Sequence, residues 1–289
     1  MKIAFLLWSM ALLSMPVFAQ SINRFHDSKT LDIFLQYRPN RKQPLILAHR
    51  GGPGAEDTEN SIETFTKTAN ALPNAILEMD VRTTHDGQFV MLHDPTLDRE
   101  SDAKGAVSEW TLADLKKVRL KTLDGQQTDQ HLPTFGEVLA WNQNRYVLSL
   151  DVKPGTDPAL AMKEVEKYKA QHSVFVICYS LAEAQRMRNL YPALWLAVGV
   201  NSEADLDRFE RDALPKSRLI ALTPQKLQSV SFYERLHKLG IPCAIGTYGT
   251  GQLDEQPISE AASGYRERFR QGGDILTTDR PQEVANLFQ

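Results

Sequence analysis

Short apolar runs rich in β-branched residues recur along the chain: Leu45 to His49, Ile76 to Val81, Phe89 to His93, Tyr146 to Val152, Val174 to Tyr179, Leu194 to Val200, Leu219 to Leu222, Cys243 to Thr247 and Ile275 to Thr278. Stretches with helical spacing lie between many of them, such as Ser61 to Leu72, Pro158 to Gln171, Leu181 to Leu190, Glu203 to Arg211 and Leu227 to Leu239. This alternation predicts an α/β fold of parallel strands with helical crossovers. Nine strands are one more than an eight-stranded parallel barrel allows, and Asp86-Gly87 marks the extra one. So short a turn cannot join parallel neighbours, so Phe89 to His93 must run antiparallel to Ile76 to Thr84. The other eight predict a closed (β/α)8 barrel whose catalytic face lies where strands end and loops to helices begin. If Asp86 and Gly87 are the two loop residues, His85 pairs with Gln88 and, counting back, Asp80 pairs with His93.

With 289 residues, 42% apolar and 24% charged, the chain is long enough for one large core. No linker, repeat or low-complexity stretch divides residues 20–289, so one domain is expected there. The N-terminus reads differently. Lys2 precedes a chargeless run from Ile3 to Asn23 that passes through Val17-Phe18-Ala19, the pattern of a signal peptide spanning residues 1–19 and cleaved after Ala19. Its apolar core, Ile3 to Phe18, falls short of the roughly 20 residues that span a bilayer. The expectation is an exported protein, periplasmic or secreted, with no stable membrane anchor; an uncleaved anchor is the alternative. The charge balance of 33 Lys and Arg against 36 Asp and Glu argues against nucleic-acid binding, and nothing implies a protein partner. Cys178 and Cys243 both sit in apolar runs and read as two buried thiols rather than a bridge or a zinc site.

Polar residues concentrate at predicted strand ends. His49-Arg50-Gly51-Gly52 leaves the first strand, where a histidine reaches the barrel mouth and an arginine can grip a phosphate. Glu78 and Asp80 lie two apart in a strand whose other face carries Leu77, Met79 and Val81, so both carboxylates point the same way. Two carboxylates side by side must be neutralised, by proton uptake, by a divalent ion held by oxygen ligands, Mg2+ or Ca2+, or by salt bridges to Arg50 or Arg82. Tyr146 to Lys153 repeats the pattern with Asp151 and Lys153 on one face. Asp151 is a third carboxylate; Lys153 suits a phosphate oxygen, or simply an ion pair with Asp151. Two histidines (His49 and His93), three acids, an arginine and a lysine on one rim fit metal-assisted phosphoryl transfer. His26, His85, His131, His172 and His237 read as surface residues.

The chain resembles the glycerophosphodiester phosphodiesterase family across nearly all of residues 20–289. The resemblance rests on His49-Arg50-Gly51, Glu59-Asn60-Ser61, Glu78-Met79-Asp80-Val81, His93-Asp94-Pro95-Thr96-Leu97-Asp98-Arg99, Gly105 to Leu115, Leu132-Pro133-Thr134, Asp151-Val152-Lys153 and Gly273-Asp274 through Thr278-Asp279-Arg280-Pro281. It implies a TIM barrel with an insertion after the hairpin, at about residues 95–135, and hydrolysis of glycerophosphodiesters to glycerol 3-phosphate and an alcohol. It also implies that His49 and His93 are the acid/base pair, that Glu78, Asp80 and Asp151 hold one divalent cation, and that Arg50 and Lys153 hold the phosphodiester. The sequence departs from the family pattern at three points: Asp151 stands where glutamate is usual, Arg99-Glu100-Ser101 replaces Arg-Thr-Thr, and Thr247-Tyr248 replaces a tryptophan. The Asp-x-Lys strand also resembles sphingomyelinase D/phospholipase D toxins, which gives one alternative, a phospholipase D-like enzyme acting on choline (lyso)phospholipids; the other is a catalytically idle phosphodiester binder, with Asp151 marking a decayed site.

Overall fold

The structure, a computed structural model, describes residues 23–289; the signal-peptide stretch of residues 1–19 and its cleavage site lie outside the described residues. The strands are β1 (Leu45–Ala48), β2 (Ile76–Thr83), β3 (Phe89–Met91), β4 (Arg119–Lys121), β5 (Gln127–His131), β6 (Val147–Val152), β7 (Val174–Cys178), β8 (Trp195–Gly199), β9 (Leu219–Thr223), β10 (Cys243–Gly246) and β11 (Gly273–Thr278). The helices are α1 (Ser28–Leu35), α2 (Ile62–Ala71), α3 (Leu112–Leu115), α4 (Phe135–Asn142), α5 (Pro158–Lys167), α6 (Leu181–Leu190), α7 (Glu203–Arg211), α8 (Val230–Lys238), α9 (Ile258–Gln271) and α10 (Pro281–Asn286). β1, β2 and β6 to β11 form a parallel sheet that closes through β1 pairing with both β11 and β2, and β3 adds to β2 antiparallel. The eight-stranded barrel and its extra hairpin strand are therefore as expected.

Side chains on these runs face inward and outward in turn. One set of positions, including Leu45, Leu47, Ile76, Val147, Phe175, Trp195, Ile220 and Ile275, fills the barrel interior. The other set, including Ile46, Leu77, Met79, Leu148, Leu150, Val176 and Leu196, packs under the helices. Both faces are buried, so the strands read as nearly continuous apolar runs. Phe25 and, from α1, Leu31 and Leu35 join the interior set, so this helix closes the base of the barrel. Each fully buried leucine contributes about 1.5–3 kcal/mol there. α2, α6, α7 and α8 start at Ser61, Ser180, Ser202 and Ser229, whose hydroxyls accept an amide in the first turn. Such caps are worth about 1 kcal/mol each and define where each loop on the catalytic face ends. α1, α3, α4, α9 and α10 have no counterpart among the helices named from the sequence; α9 buries only Ala261 and Tyr265, too little for a visible apolar stripe.

The hairpin register differs from the expectation by one residue. Thr84 N donates to Gln88 O (2.9 Å) and Gly87 N to Thr84 O (3.0 Å), so the loop is His85-Asp86-Gly87, three residues, with Gly87 at φ +75°. A turn followed by a left-handed glycine inserts the extra residue. Val81 then faces Met91, and Leu92 N donates to Asp80 O (3.1 Å), so Leu92 rather than His93 stands opposite Asp80. Between Leu92 and α4 the chain builds β4, β5 and α3 around a small core of Leu97, Val107, Leu115, Val118, Leu120 and Leu132, continuous with Val90 and Leu92.

Cys178 and Cys243 are free and buried, as read, and burial pushes the Cys178 thiol up to about 12. His237 is not a surface residue. It stacks on Tyr37 (4.1 Å) and meets Asp274 Oδ2 at 2.9 Å, at the end of the barrel opposite the catalytic face. Asp274 also accepts the Cys243 amide (2.8 Å) where the β10–β11 register shifts, so this cluster fills an irregularity in the sheet. Among the described residues no helix is long and apolar enough to cross a membrane.

Candidate active site

Glu78 and Asp80 on β2 and Asp151 on β6 share the inward parity of Ile76 and Val147, and Asp80 pairs directly with Asp151. Oxygens of these three carboxylates lie within 4.8 Å of one another. Each is held differently. Arg50 N donates to Glu78 Oε2 (2.7 Å). Asn60 clamps Asp80 from both sides, Nδ2 donating to Oδ2 (2.8 Å) and Oδ1 accepting the Asp80 amide (2.9 Å). Lys153 Nζ sits 2.7 Å from Asp80 Oδ1 and 2.6 Å from Asp151 Oδ2. The ion pair between Asp151 and Lys153 therefore forms, and Lys153 extends it to Asp80.

One ammonium does not balance three carboxylates. Burial, reinforced by Asp80 and Asp151, raises Glu78 well above the usual carboxylate range. Burial would raise Asp80 too, yet Lys153, His93 and Asn60 hold it below that range. Asp80 and Asp151 in turn raise Lys153 against the effect of burial. Among the described residues, Arg50 Nε and Ser149 Oγ are buried here without a hydrogen bond, and Asp80 Oδ1 meets only the Lys153 ammonium, at 2.7 Å. Three converging carboxylates, hard oxygen donors facing a single shared ammonium, fit a divalent cation, and oxygen ligands favour Ca2+ or Mg2+.

His49 does not continue β1 but lies in a tight turn, His49–Gly51, with Arg50 and Gly51 at φ +51° and +90°. A side chain at Gly51 would strike Phe65 at 2.8 Å, so the turn requires glycine there. His49 Nδ1 meets Asp279 Oδ1 at 2.7 Å, and its ring stacks on Tyr248 at 3.8 Å. Burial, with Glu78 and Asp151 nearby, pushes the Tyr248 hydroxyl up to about 12. His93 lies past the end of β3, where Arg82 captures its carbonyl (2.9 and 2.5 Å) and Glu100 accepts its amide (3.2 Å). This departure from the ladder, not the pairing expected from the hairpin, brings His93 into the field of Asp80. Its Nδ1 meets Asp94 Oδ1 at 2.7 Å, and burial lowers the pKa of the ring. A carboxylate that accepts from Nδ1–H selects, on each neutral ring, the tautomer whose Nε2 is unprotonated.

Arg50 faces Glu59 (3.1 and 3.3 Å) and comes within 3.9 Å of Asp80. Arg99 makes a fork on the same Glu59 (2.7 and 2.8 Å) and binds Asp94 and Glu100, holding Asp94 well below the usual range. Arg82, the other candidate counter-ion for Glu78 and Asp80, is instead spent on the His93 carbonyl. All seven sequence-predicted residues thus converge on the catalytic face. Sequence reasoning gave no role to Asp279, Asp94, Glu59, Asn60, Tyr248 or Tyr179, although the first five stand inside or beside the quoted motifs; Tyr179, at the end of an apolar run, carried no signal. The cleft of about 520 Å3 between α1 and the C-terminal residues contains none of the site residues.

The model of the glycerophosphoryl diester phosphodiesterase family matches residues 49–237. The chain belongs to this family. A family structure from Parabacteroides distasonis, a glycerophosphoryl diester phosphodiesterase, is 32% identical with a TM-score of 0.82 over 90% of this chain and 91% of that one. A glycerophosphodiester phosphodiesterase from Caldanaerobacter subterraneus is 30% identical over 154 residues, 50% of this chain and 62% of the relative, so less than two thirds of that protein is matched. A phosphodiesterase from Oleispira antarctica, solved with its product sn-glycerol 3-phosphate, is 20% identical with a TM-score of 0.66 over 85% of this chain, a likeness of fold alone.

Proposed function

We propose that this protein hydrolyses glycerophosphodiesters to glycerol 3-phosphate and an alcohol, with a divalent cation and with His49 and His93 as general acid and base. The observation that carries the reading is the pair of imidazoles, each oriented by its own carboxylate, beside three converging acids. Family membership supports the substrate class. Glu78, Asp80 and Asp151 would hold the cation, which when bound supplies positive charge for the phosphoryl oxygens and lowers the pKa of a neighbouring hydroxyl.

The remaining chemistry belongs to the chain. One histidine Nε2 takes the proton from the attacking oxygen while the other returns a proton to the departing alcohol. Asp279 and Asp94 stabilise each ring as it becomes positive. Lys153 and Arg50 supply fixed cations for the phosphodiester, and Glu59 keeps the Arg50 guanidinium from rotating away. We further propose that the enzyme works outside the cytoplasm, on the strength of the signal-peptide pattern in residues 1–19.

Release of glycerol 3-phosphate from a panel of glycerophosphodiesters, with and without chelator, tests the reading. Thorough chelation should abolish turnover and Ca2+ or Mg2+ restore it, while His49→Ala and His93→Ala should each cost about 10²–10⁴ in kcat. Undiminished turnover after chelation defeats the cation, and near-full activity of either variant removes that histidine.

A further inference from the structure

Among the described residues the three carboxylates differ in how firmly the protein holds them. Glu78 is anchored by a backbone amide and Asp80 by both ends of Asn60. Asp151 has neither kind of anchor. Its polar partners are Lys153 on Oδ2 (2.6 Å), an ammonium shared with Asp80, and the Tyr179 hydroxyl, which donates to Oδ1 at 2.5 Å. A lysine stem has four rotatable bonds, whereas a tyrosine has two, so the phenol is the stiffer of the two restraints.

Tyr179 is itself fixed. It follows β7 directly, and the β6–β7 register of Leu148 with Val174 and Leu150 with Val176 runs on to set Lys153 beside Tyr179. Its amide donates to Glu183 Oε2 (2.7 Å) in the first turn of α6, whose own amide is capped by Ser180. The residue is 55% exposed. A large ring left half in water at the barrel mouth gains little by burial, so its directed contribution is the hydroxyl bond.

We propose that Tyr179 is a positioning residue for the cation site: its hydroxyl holds the Asp151 carboxylate in place as the third oxygen ligand. This rests on the reading of Glu78, Asp80 and Asp151 as that site. A donated hydrogen bond restrains rotation of the carboxylate without adding charge, so losing it frees Asp151 and weakens the grip on the cation before it touches the acid/base pair.

The test is calorimetric titration of the metal-free whole chain with CaCl2 and, separately, MgCl2, for wild type, Tyr179→Phe, Tyr179→Ala and Asp151→Ala with and without Tyr179→Phe. Tyr179→Phe should raise the cation Kd about 10-fold, the scale of one hydrogen bond to a charged group. It should also raise the cation concentration giving half-maximal turnover by the same factor, with kcat recovering at saturating cation. Tyr179→Ala should match Phe within about 2-fold, and Tyr179→Phe should add nothing in the Asp151→Ala background. An unchanged Kd for Tyr179→Phe while wild type binds overturns this inference and leaves the cation site standing. A much larger loss for Ala than for Phe assigns the effect to the ring and likewise overturns it. If wild type binds neither ion, the cation site itself falls and takes the positioning role with it.

Discussion

Asp279→Asn removes a charge from beside His49 with almost no change of shape. The carboxylate oxygen lies 2.7 Å from Nδ1, with the histidine side chain 13% and the aspartate side chain 43% exposed. A hydrogen bond to a charged group is worth about 1.5–3 kcal/mol against about 0.5–1.5 for a neutral one, so the substitution forfeits about 1–2 kcal/mol of imidazolium stabilisation. Solvent around the half-exposed Asp279 pulls this toward the lower figure. At 1.36 kcal/mol per decade the expected loss is about 5–30-fold in kcat. An asparagine that turns its amide nitrogen toward Nδ1 would also trap the wrong tautomer and deepen the loss. The assay is steady-state release of glycerol 3-phosphate from glycerophosphocholine at saturating cation, with KM and the thermal midpoint measured alongside. Because Asp279 Oδ1 acts through the ring, Asp279→Asn should cost nothing further in the His49→Ala background. A kcat within about 2-fold of wild type, or losses that multiply in the double variant, would refute the claim that Asp279 works through His49.

Two further predictions concern stability. Glu100 is buried beside Glu59 and its pKa is pushed up to about 8 from 4.5, so the folded protein holds a proton that the unfolded chain releases. Stability from this proton is present below 4.5 and lost as pH rises toward about 8. Urea midpoints at about pH 5 and about pH 9 should fall more for wild type than for Glu100→Gln, and equal falls would show that Glu100 is ionised in the folded state. Leu35 is fully buried where α1 closes the barrel base. Leu35→Ala should cost about 2–5 kcal/mol in urea unfolding, and a loss below about 1 kcal/mol would mean that α1 is not part of the cooperative core.

Local rules carried a large part of this protein. Alternation in runs such as Ile76 to Val81 and Tyr146 to Val152 determines both the strand and the inward face of Glu78, Asp80 and Asp151, because side chains on a strand repeat every two residues. The glycines and proline after His49 and Lys153 mark strand exits, and those exits form the catalytic rim of a closed barrel. The same rules failed at the hairpin, where one left-handed glycine moved the register and put Leu92 opposite Asp80. They also failed for His237, whose partners Tyr37 and Asp274 come from far along the chain. What only the tertiary structure decided is which charges meet. Asp279 reaches His49 across 230 residues because β11 closes the barrel on β1, and Tyr179 reaches Asp151 because β7 lies beside β6. Partners set by sheet closure leave no local periodicity to read, since the free energy that selects them comes from burying and pairing groups that are distant in sequence.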